Sequence, residues 1–189
     1  VLKEQHVYEL EIEFVNKITT MSPEVVTDSL LKLVNTILQA YRQSEFLLTP
    51  TDQERYIQEF RMSKLAFYNP VTLERRNLKK ERPHNIWNDY TVTVKADGER
   101  FGLYVARYKK VLQINKQNKV IWTGLHTIDD AYIGDFIDGE YIPQKNLFCI
   151  FDIYRYKGRD LHSLPLMKGD DPTQSRLGCA SLFVKDIAT

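Results

Sequence analysis

YTVTVKADGERFGLYV (residues 90–105) is the stretch on which the interpretation of this chain depends. Valine alternates with polar residues over 90–95, which predicts a β-strand that ends at Lys95. The Asp-Gly pair that follows predicts a turn before a second strand. Such a hairpin brings Lys95, Asp97 and Arg100 to a common pocket. A lysine at a hairpin end is more often a solvated surface charge, so further motifs must decide between the two readings.

The rest of the chain predicts a helical first part and a β-rich second part. Ser22 followed by Pro23 predicts the start of an amphipathic helix that runs to about residue 41. Thr51 with Glu54 predicts a capping box at the start of a second helix over 52–62. The pattern after residue 99 predicts a turn at 115–118 (NKQN) and strands over 100–107, 110–115, 120–123, 136–142 and 146–154.

Composition is that of an ordinary globular protein, with 43% hydrophobic and 27% charged residues among 189. The net charge of +1 gives no global electrostatic argument for nucleic-acid binding. Cys149 and Cys179 have no zinc-type spacing, which favours reduced thiols and an intracellular compartment. No transmembrane or signal segment is visible. The chain has no initiator Met and stops in an apolar segment, so we expect it to be a piece of a longer polypeptide.

Three segments, in order along the chain, match a known set of motifs. KADGER (95–100) resembles motif I, K-x-D-G-x-R, of the covalent nucleotidyltransferase superfamily. FIDGEY (136–141) resembles motif III and NLFCIFDIY (146–154) resembles motif IIIa. This superfamily contains mRNA capping guanylyltransferases and ATP-dependent DNA and RNA ligases. The resemblance implies the α+β class, with an antiparallel, β-rich core of the nucleotidyltransferase (ATP-grasp or ligase-like) type.

The resemblance also implies roles for individual residues. Lys95 is the catalytic nucleophile that attacks the α-phosphorus of a nucleoside triphosphate. Arg100 and Glu140 contact the ribose, and Glu140 is also a possible ligand of a divalent metal, Mg or Mn. Alternation over 146–154 places Phe148, Ile150 and Asp152 on one face of a strand. The nucleotide-binding residues implied in this way are Val71, Thr72, Thr93, Asp97, Arg100, Glu140, Phe148 and Asp152.

Within that set, the implied tasks differ. Phe148 stacks on the purine, and Thr93 reads the base edge. Asp152 lies near the metal or the phosphates, and Asp97 mainly fixes the turn and orients the lysine. NPVTLERRNL (69–78) resembles the segment before motif I in capping enzymes of large cytoplasmic DNA viruses, where Val71 and Thr72 would form one wall of the purine pocket.

A second signature lies in VYELEIEF (7–14), where glutamates alternate with apolar residues. Glu9, Glu11 and Glu13 share one face about 7 Å apart, and a row of carboxylates either meets water or binds a hard divalent cation. On its own the pattern fits an amphipathic edge strand. It also resembles the metal-binding strand of tunnel-fold RNA triphosphatases, a domain that precedes the guanylyltransferase in poxvirus-, asfarvirus- and mimivirus-type capping enzymes.

Together these resemblances imply three parts: a terminal triphosphatase strand (1–20), a helical connector (21–68) and the N-terminal half of a guanylyltransferase domain (69–189). GTP and the 5′ end of nascent RNA are the implied partners, in the host cytoplasm and virion, with no membrane. Motifs IV and V, the OB-fold and a methyltransferase portion would lie elsewhere in the polypeptide. The basic cluster 75–82 is a candidate for steering RNA or triphosphate.

Two alternatives remain open from the sequence. An ATP-dependent polynucleotide ligase uses the same lysine chemistry with adenine, although a ligase gives no reason for the acidic N-terminal strand. A catalytically inactive nucleotidyltransferase-like binding module is the other.

Overall fold

The computed structural model describes residues 10–13, 21–42, 45–83, 85–88 and 90–188. Contacts divide the chain into two units, Val1–Arg42 and Gln43–Thr189, and the division falls inside the predicted connector. The predicted domain boundaries therefore stay predictions. None of the described helices is long and apolar enough to cross a membrane.

Helix α1 (Pro23–Arg42) is the helix of the first unit. The carbonyl of Ser22 accepts the backbone N–H of Val26, and Pro23 occupies the first helical position, where its missing N–H costs nothing. The prediction of a helix that starts after Ser22 is confirmed.

Helix α2 (Pro50–Met62) starts two residues earlier than predicted. Its N-cap is Thr49, whose Oγ1 accepts the backbone N–H of Asp52 at 3.1 Å. The prediction of a cap at Thr51 is wrong because Pro50 takes the first helical position, which moves the cap to the preceding residue.

The second unit is built on a seven-stranded antiparallel sheet with the strand order β6-β5-β4-β1-β2-β3-β7. The helix α3 (Arg176–Lys185), which the sequence pattern did not reveal, precedes the last strand. The α+β class is confirmed, and all five strands predicted after residue 99 are present, although β3 runs four residues further than predicted. The strands are β1 (Glu99–Val105), β2 (Lys110–Ile114), β3 (Val120–Thr127), β4 (Phe136–Ile142), β5 (Leu147–Tyr156), β6 (Arg159–Asp160) and β7 (Ile187–Ala188).

Both faces of the sheet are covered, because alternate residues of its central strands enter two different cores. The α2-side core joins Tyr56 and Phe60 of the helix to Tyr104 and Phe136 of the sheet. The α3-side core joins strand residues to Phe183 and includes Val105, Val111, Ile137 and Ile153. Coverage on both sides explains why β1 is buried from Phe101 to Val105 rather than alternating between buried and exposed.

Two predicted strands are not seen in the described residues. Residues 90–97 form no strand, and Val92 and Val94 are 97% and 93% exposed. The alternation is typical of a strand, but a strand also needs a neighbour for its backbone hydrogen bonds, and no described strand pairs with this segment. Of the predicted strand 7–14, residues 7–9 and 14 lie outside the described residues, and 10–13 are not in a strand.

Candidate nucleotide-binding site

The centre of the candidate site is an arginine–aspartate pair that joins motif I to motif III. Antiparallel pairing of β1 with β4 places Arg100 opposite Glu140 and Gly102 opposite Asp138. Arg100 Nε donates to Asp138 Oδ1 at 3.0 Å, and Nη2 donates to Oδ2. Asp138 is fully buried and also accepts a hydrogen bond from the Tyr154 hydroxyl. The hydrogen bond to Asp138 raises the pKa of Arg100, so the guanidinium stays charged in this setting.

The guanidinium of Arg100 lies near two aromatic rings. Its central carbon lies 5.5 Å from the ring centroid of Phe67 and 5.6 Å from that of Phe151. Nη2 also donates to the backbone oxygen of Tyr68 at 2.7 Å. Nη1 has no hydrogen-bond partner among the described residues. Its two N–H groups are therefore the ones that remain for a ligand.

Glu140 connects β4 to the segment that carries the predicted nucleophile. Its Oε1 accepts the backbone N–H of Gly98 at 2.8 Å. A side chain at Gly98 would collide with the strand, since an added Cβ would lie 2.3 Å from the carbonyl oxygen of Tyr141. Gly98 of KADGER, three residues after Lys95, is thus needed for a close backbone approach to β4.

Lys95 itself lies in the exposed segment 90–97. Its Nζ donates to the neighbouring carbonyl of Ala96 at 3.0 Å, and among the described residues it makes no ion pair with a carboxylate. Thr93 and Asp97 are exposed as well. The predicted hairpin that would bring Lys95, Asp97 and Arg100 to one pocket is therefore wrong for the described residues: Arg100 is packed into the sheet, whereas no described strand pairs with the lysine segment.

The predicted common face of Phe148, Ile150 and Asp152 is also wrong. Phe148 and Ile150 pack against the α3-side core, and Phe148 covers Gly139, where an added Cβ would lie 2.3 Å from its ring. The pairing of β4 with β5 then shifts register, so that Asp152 lies opposite Asp138. A register irregularity interrupts side-chain alternation, and sequence periodicity does not show where it falls.

The register shift leaves Phe151 beside Arg100. No motif residue implied by the resemblance falls at this position. The place of Phe151 directly before Asp152 in motif IIIa was visible, but strict alternation assigned it to the opposite face from Phe148. In the structure the ring of Phe151, in motif IIIa, lies 5.6 Å from the guanidinium of Arg100, a predicted nucleotide-binding residue.

The remaining predicted residues fall into two groups. Asp152 is half-buried, and its Oδ1 lies 2.9 Å from Nε of Arg176. Burial raises the pKa of Asp152, and the charge of Arg176 opposes that shift. Val71 is 93% exposed and Thr72 is exposed. The residues predicted to form one wall of the purine pocket are therefore not packed against other described residues.

No cluster of three or more potential metal ligands occurs in the described part of the chain. Mg²⁺ is usually held by one or two carboxylates together with substrate phosphates, so Glu140 fits as a single protein ligand. Glu11 and Glu13 are exposed, and Glu9 lies outside the described residues.

Comparison with known proteins gives one match to a characterised type of enzyme. No family model matches the chain. The chain is similar to the "Probable mRNA-capping enzyme" of Acanthamoeba polyphaga mimivirus, with 29% identity over 160 residues and 81% of this chain covered. The match spans 13% of the length of that protein. This similarity supports a capping-related function and an enzyme.

Proposed function

We propose that residues 69–189 are the N-terminal half of an mRNA guanylyltransferase domain and that Lys95 is its nucleophile. The observation that carries the proposal is the contact between two motifs about forty residues apart. Gly98 of KADGER bonds to Glu140 of FIDGEY, and Arg100 bonds to Asp138. The similarity to a probable capping enzyme favours guanylyl transfer over nick sealing.

The proposed reaction has two balanced steps. Neutral Lys95 Nζ attacks the α-phosphorus of GTP, a P–N bond forms, the bond to the bridging oxygen of the β-phosphate breaks, and pyrophosphate leaves. The amine loses its proton to solvent or to a base. A terminal phosphate oxygen of a 5′-diphosphate RNA then attacks the same phosphorus, the P–N bond breaks, and the lysine takes up a proton. A divalent metal supplies charge stabilisation on the phosphates when it is bound.

The residues of the sheet would bind and orient the nucleotide in this scheme. The free Nη1 group of Arg100 is available for the ribose, and Phe151 rather than Phe148 is the ring beside that position. Asp138 keeps the guanidinium fixed. The exposed segment 90–97 must close onto this surface for Lys95 to reach phosphorus. During that closure the Gly98–Glu140 hydrogen bond would hold the C-terminal end of the segment against β4.

Nucleotide labelling tests the proposal. The full-length protein that carries this segment is incubated with Mg²⁺ and either α-labelled GTP or α-labelled ATP, and acid-stable label on the protein is measured. Label from GTP, lost in Lys95→Ala while the variant keeps the wild-type melting curve, is the expected result. Label from ATP instead would identify a polynucleotide ligase. No label from either nucleotide would favour an inactive binding module.

We also propose that the acidic N-terminal segment belongs to an adjoining RNA triphosphatase. Its support is the Glu-x-Glu-x-Glu pattern at residues 9, 11 and 13, since hard cations prefer several carboxylate oxygens. Release of γ-phosphate from triphosphate-ended RNA by the full-length protein should fall sharply in Glu11→Gln and Glu13→Gln. Retained phosphate release in both variants would remove this part of the proposal.

A further inference from the structure

A basic loop before the lysine segment has an organised structure of its own. We define the basic loop as residues 74–83 and 85–88. It contains a 3-10 turn, Arg75–Leu78, whose start is closed by a reciprocal pair: Asn77 N–H donates to the Glu74 carbonyl, and Asn77 Oδ1 accepts the Glu74 N–H, both at 2.9 Å. Ile86 N–H then donates to the Asn77 carbonyl at 3.0 Å, which brings the two ends of the loop together.

Asn85 is the buried centre of the basic loop, with 4% of its surface exposed. Its Nδ2 donates to the carbonyls of Lys80 and Arg82 at 3.2 and 2.7 Å, and its Oδ1 accepts the N–H of Trp87 at 2.9 Å. A buried side chain that satisfies three backbone groups fixes the path of the loop. The basic side chains are therefore presented on an ordered backbone.

The charge of the basic loop is largely unpaired. Five cationic side chains occur with two carboxylates in residues 74–82, although the whole chain has a net charge of +1. Arg76 pairs with Glu74 at 2.8 Å. The other four cations are exposed and make no ion pair with any carboxylate that the structure describes: Arg75, Lys79, Lys80 and Arg82.

An exposed aromatic ring lies beside one of these cations. Trp87 is 57% exposed, yet its indole N–H donates to the Leu78 carbonyl at 2.9 Å, which fixes the ring relative to the loop. Nζ of Lys80 lies 5.1 Å from the ring centroid. A fixed, exposed indole beside a lysine, on a loop with further unpaired cations, matches the way that proteins hold single-stranded nucleic acid, through base stacking and phosphate contacts.

We propose that the basic loop binds single-stranded RNA, with a base stacked on Trp87 and phosphates held by the unpaired cations. This proposal rests on the proposed function, which supplies RNA as the partner. Lys95 follows Trp87 by eight residues, so their Cα atoms lie within about 29 Å of each other even for a fully extended chain. The basic loop would hold the RNA a few nucleotides behind the 5′ end.

The test measures binding of a fluorescein-labelled, unstructured RNA of about 15 nucleotides, near the upper end of common single-strand site sizes. It is made on the full-length protein without GTP or metal, so it does not depend on guanylyl transfer. We expect Trp87→Leu to weaken binding roughly 5- to 150-fold, the usual range for loss of one base stack, with an unchanged salt dependence.

Two charge-reversed variants complete the test. Lys79→Glu with Lys80→Glu should weaken binding and lower the slope of log affinity against log salt by about 1.4, or about 0.7 for each lost phosphate contact. The matched control is Lys145→Glu with Lys168→Glu, two exposed lysines outside the basic loop, and it should reduce affinity less. RNA should also quench the tryptophan fluorescence of the wild-type protein more than that of Trp87→Leu.

Several outcomes would overturn the inference. Wild-type affinity in Trp87→Leu with a wild-type melting curve would remove the stacking site. Equal losses in the loop variant and its control would show non-specific charge binding. Competition by a poly-glutamate peptide as strong as by RNA and independent of Trp87 would indicate an acidic protein partner instead. Failure of GTP labelling with intact RNA binding would remove the guanylyltransferase proposal and leave the RNA surface standing.

Discussion

The two Asp-Gly motifs of this chain lie in contact but in very different surroundings. In FIDGEY, Asp138 is fully buried, and its strand is paired on both sides, with β1 and β5. In KADGER, Lys95 and Asp97 are exposed, and the preceding residues pair with no described strand. The sheet therefore fixes Arg100 and Glu140, which would bind the nucleotide. Lys95, which would react with it, lies in a segment that pairs with no described strand.

This difference shows how a short motif depends on its surroundings. The same Asp-Gly pattern gives a rigid strand where neighbours satisfy the backbone and an open segment where they do not. Valines at 92 and 94 carry the β-propensity of a strand, yet that propensity is largely a measure of packing against neighbours.

Removal of the buried carboxylate should have the largest effect. Asp138→Ala leaves Arg100 without its partner in a mostly buried position, and breaking such a pair costs about 3–5 kcal/mol of the free energy of unfolding. Asp97→Ala, in the other motif, should change it by less than about 0.5 kcal/mol because Asp97 is exposed. Urea denaturation measures both. Equal effects of the two substitutions would contradict the contrast.

A second buried acid at the start of β4 should make stability depend on pH. Burial raises the pKa of Asp135 to about 7 from 3.8, and hydrogen bonds from the N–H groups of Lys157 and Gly158 oppose that shift only in part. The folded state therefore keeps a proton that the unfolded chain releases between pH 4 and 7. Stability should fall as pH rises through that window, by at most about 4 kcal/mol, and level off above pH 7.

Asp135→Asn is the control for this dependence. It removes the titrating group, so the difference in unfolding free energy between variant and wild type should change between pH 4 and 7 and be constant above. A pH-independent difference between the two proteins would show that the Asp135 carboxyl does not hold its proton in the folded state.

The glycine of FIDGEY should tolerate a methyl group poorly. In Gly139→Ala the added carbon would lie 2.3 Å from the Phe148 ring and 2.6 Å from the Cys149 carbonyl oxygen. Overpacking of this kind costs about 1–3 kcal/mol, measurable by urea denaturation. Phe148→Leu removes the ring that the added methyl group would touch. The double variant should therefore lose less unfolding free energy than the sum of the losses in the two single variants. Strict additivity would argue against this contact.

Substitution of the two valines in the lysine segment should change the stability of the protein very little. Val92→Ser and Val94→Ser should change the stability of the 189-residue chain by less than about 0.5 kcal/mol, because both side chains are exposed. Val105→Ser is the matched control in a fully buried position, and it should cost several times more. Thermal melting of the three variants makes the comparison. A loss of 2 kcal/mol at Val92 or Val94 would mean that the segment is packed.

Local patterns predicted much of the fold and little of the site geometry. Period-two alternation located β1, β2 and β4 closely, and Ser22-Pro23 located the start of α1, because these signals arise from the residues themselves. The segment 90–95 carried the same signal, but no described strand pairs with it. The register shift that separates Phe148 from Asp152 arises from pairing between β4 and β5, which no single strand encodes.

Peptide mapping of the covalent adduct would identify the nucleophile. After reaction of the full-length protein with GTP and Mg²⁺, proteolysis and mass spectrometry locate the residue that carries GMP. The account predicts GMP on the nitrogen of Lys95 and no adduct in Lys95→Arg. GMP on another lysine, or an adduct that persists in Lys95→Arg, would contradict it.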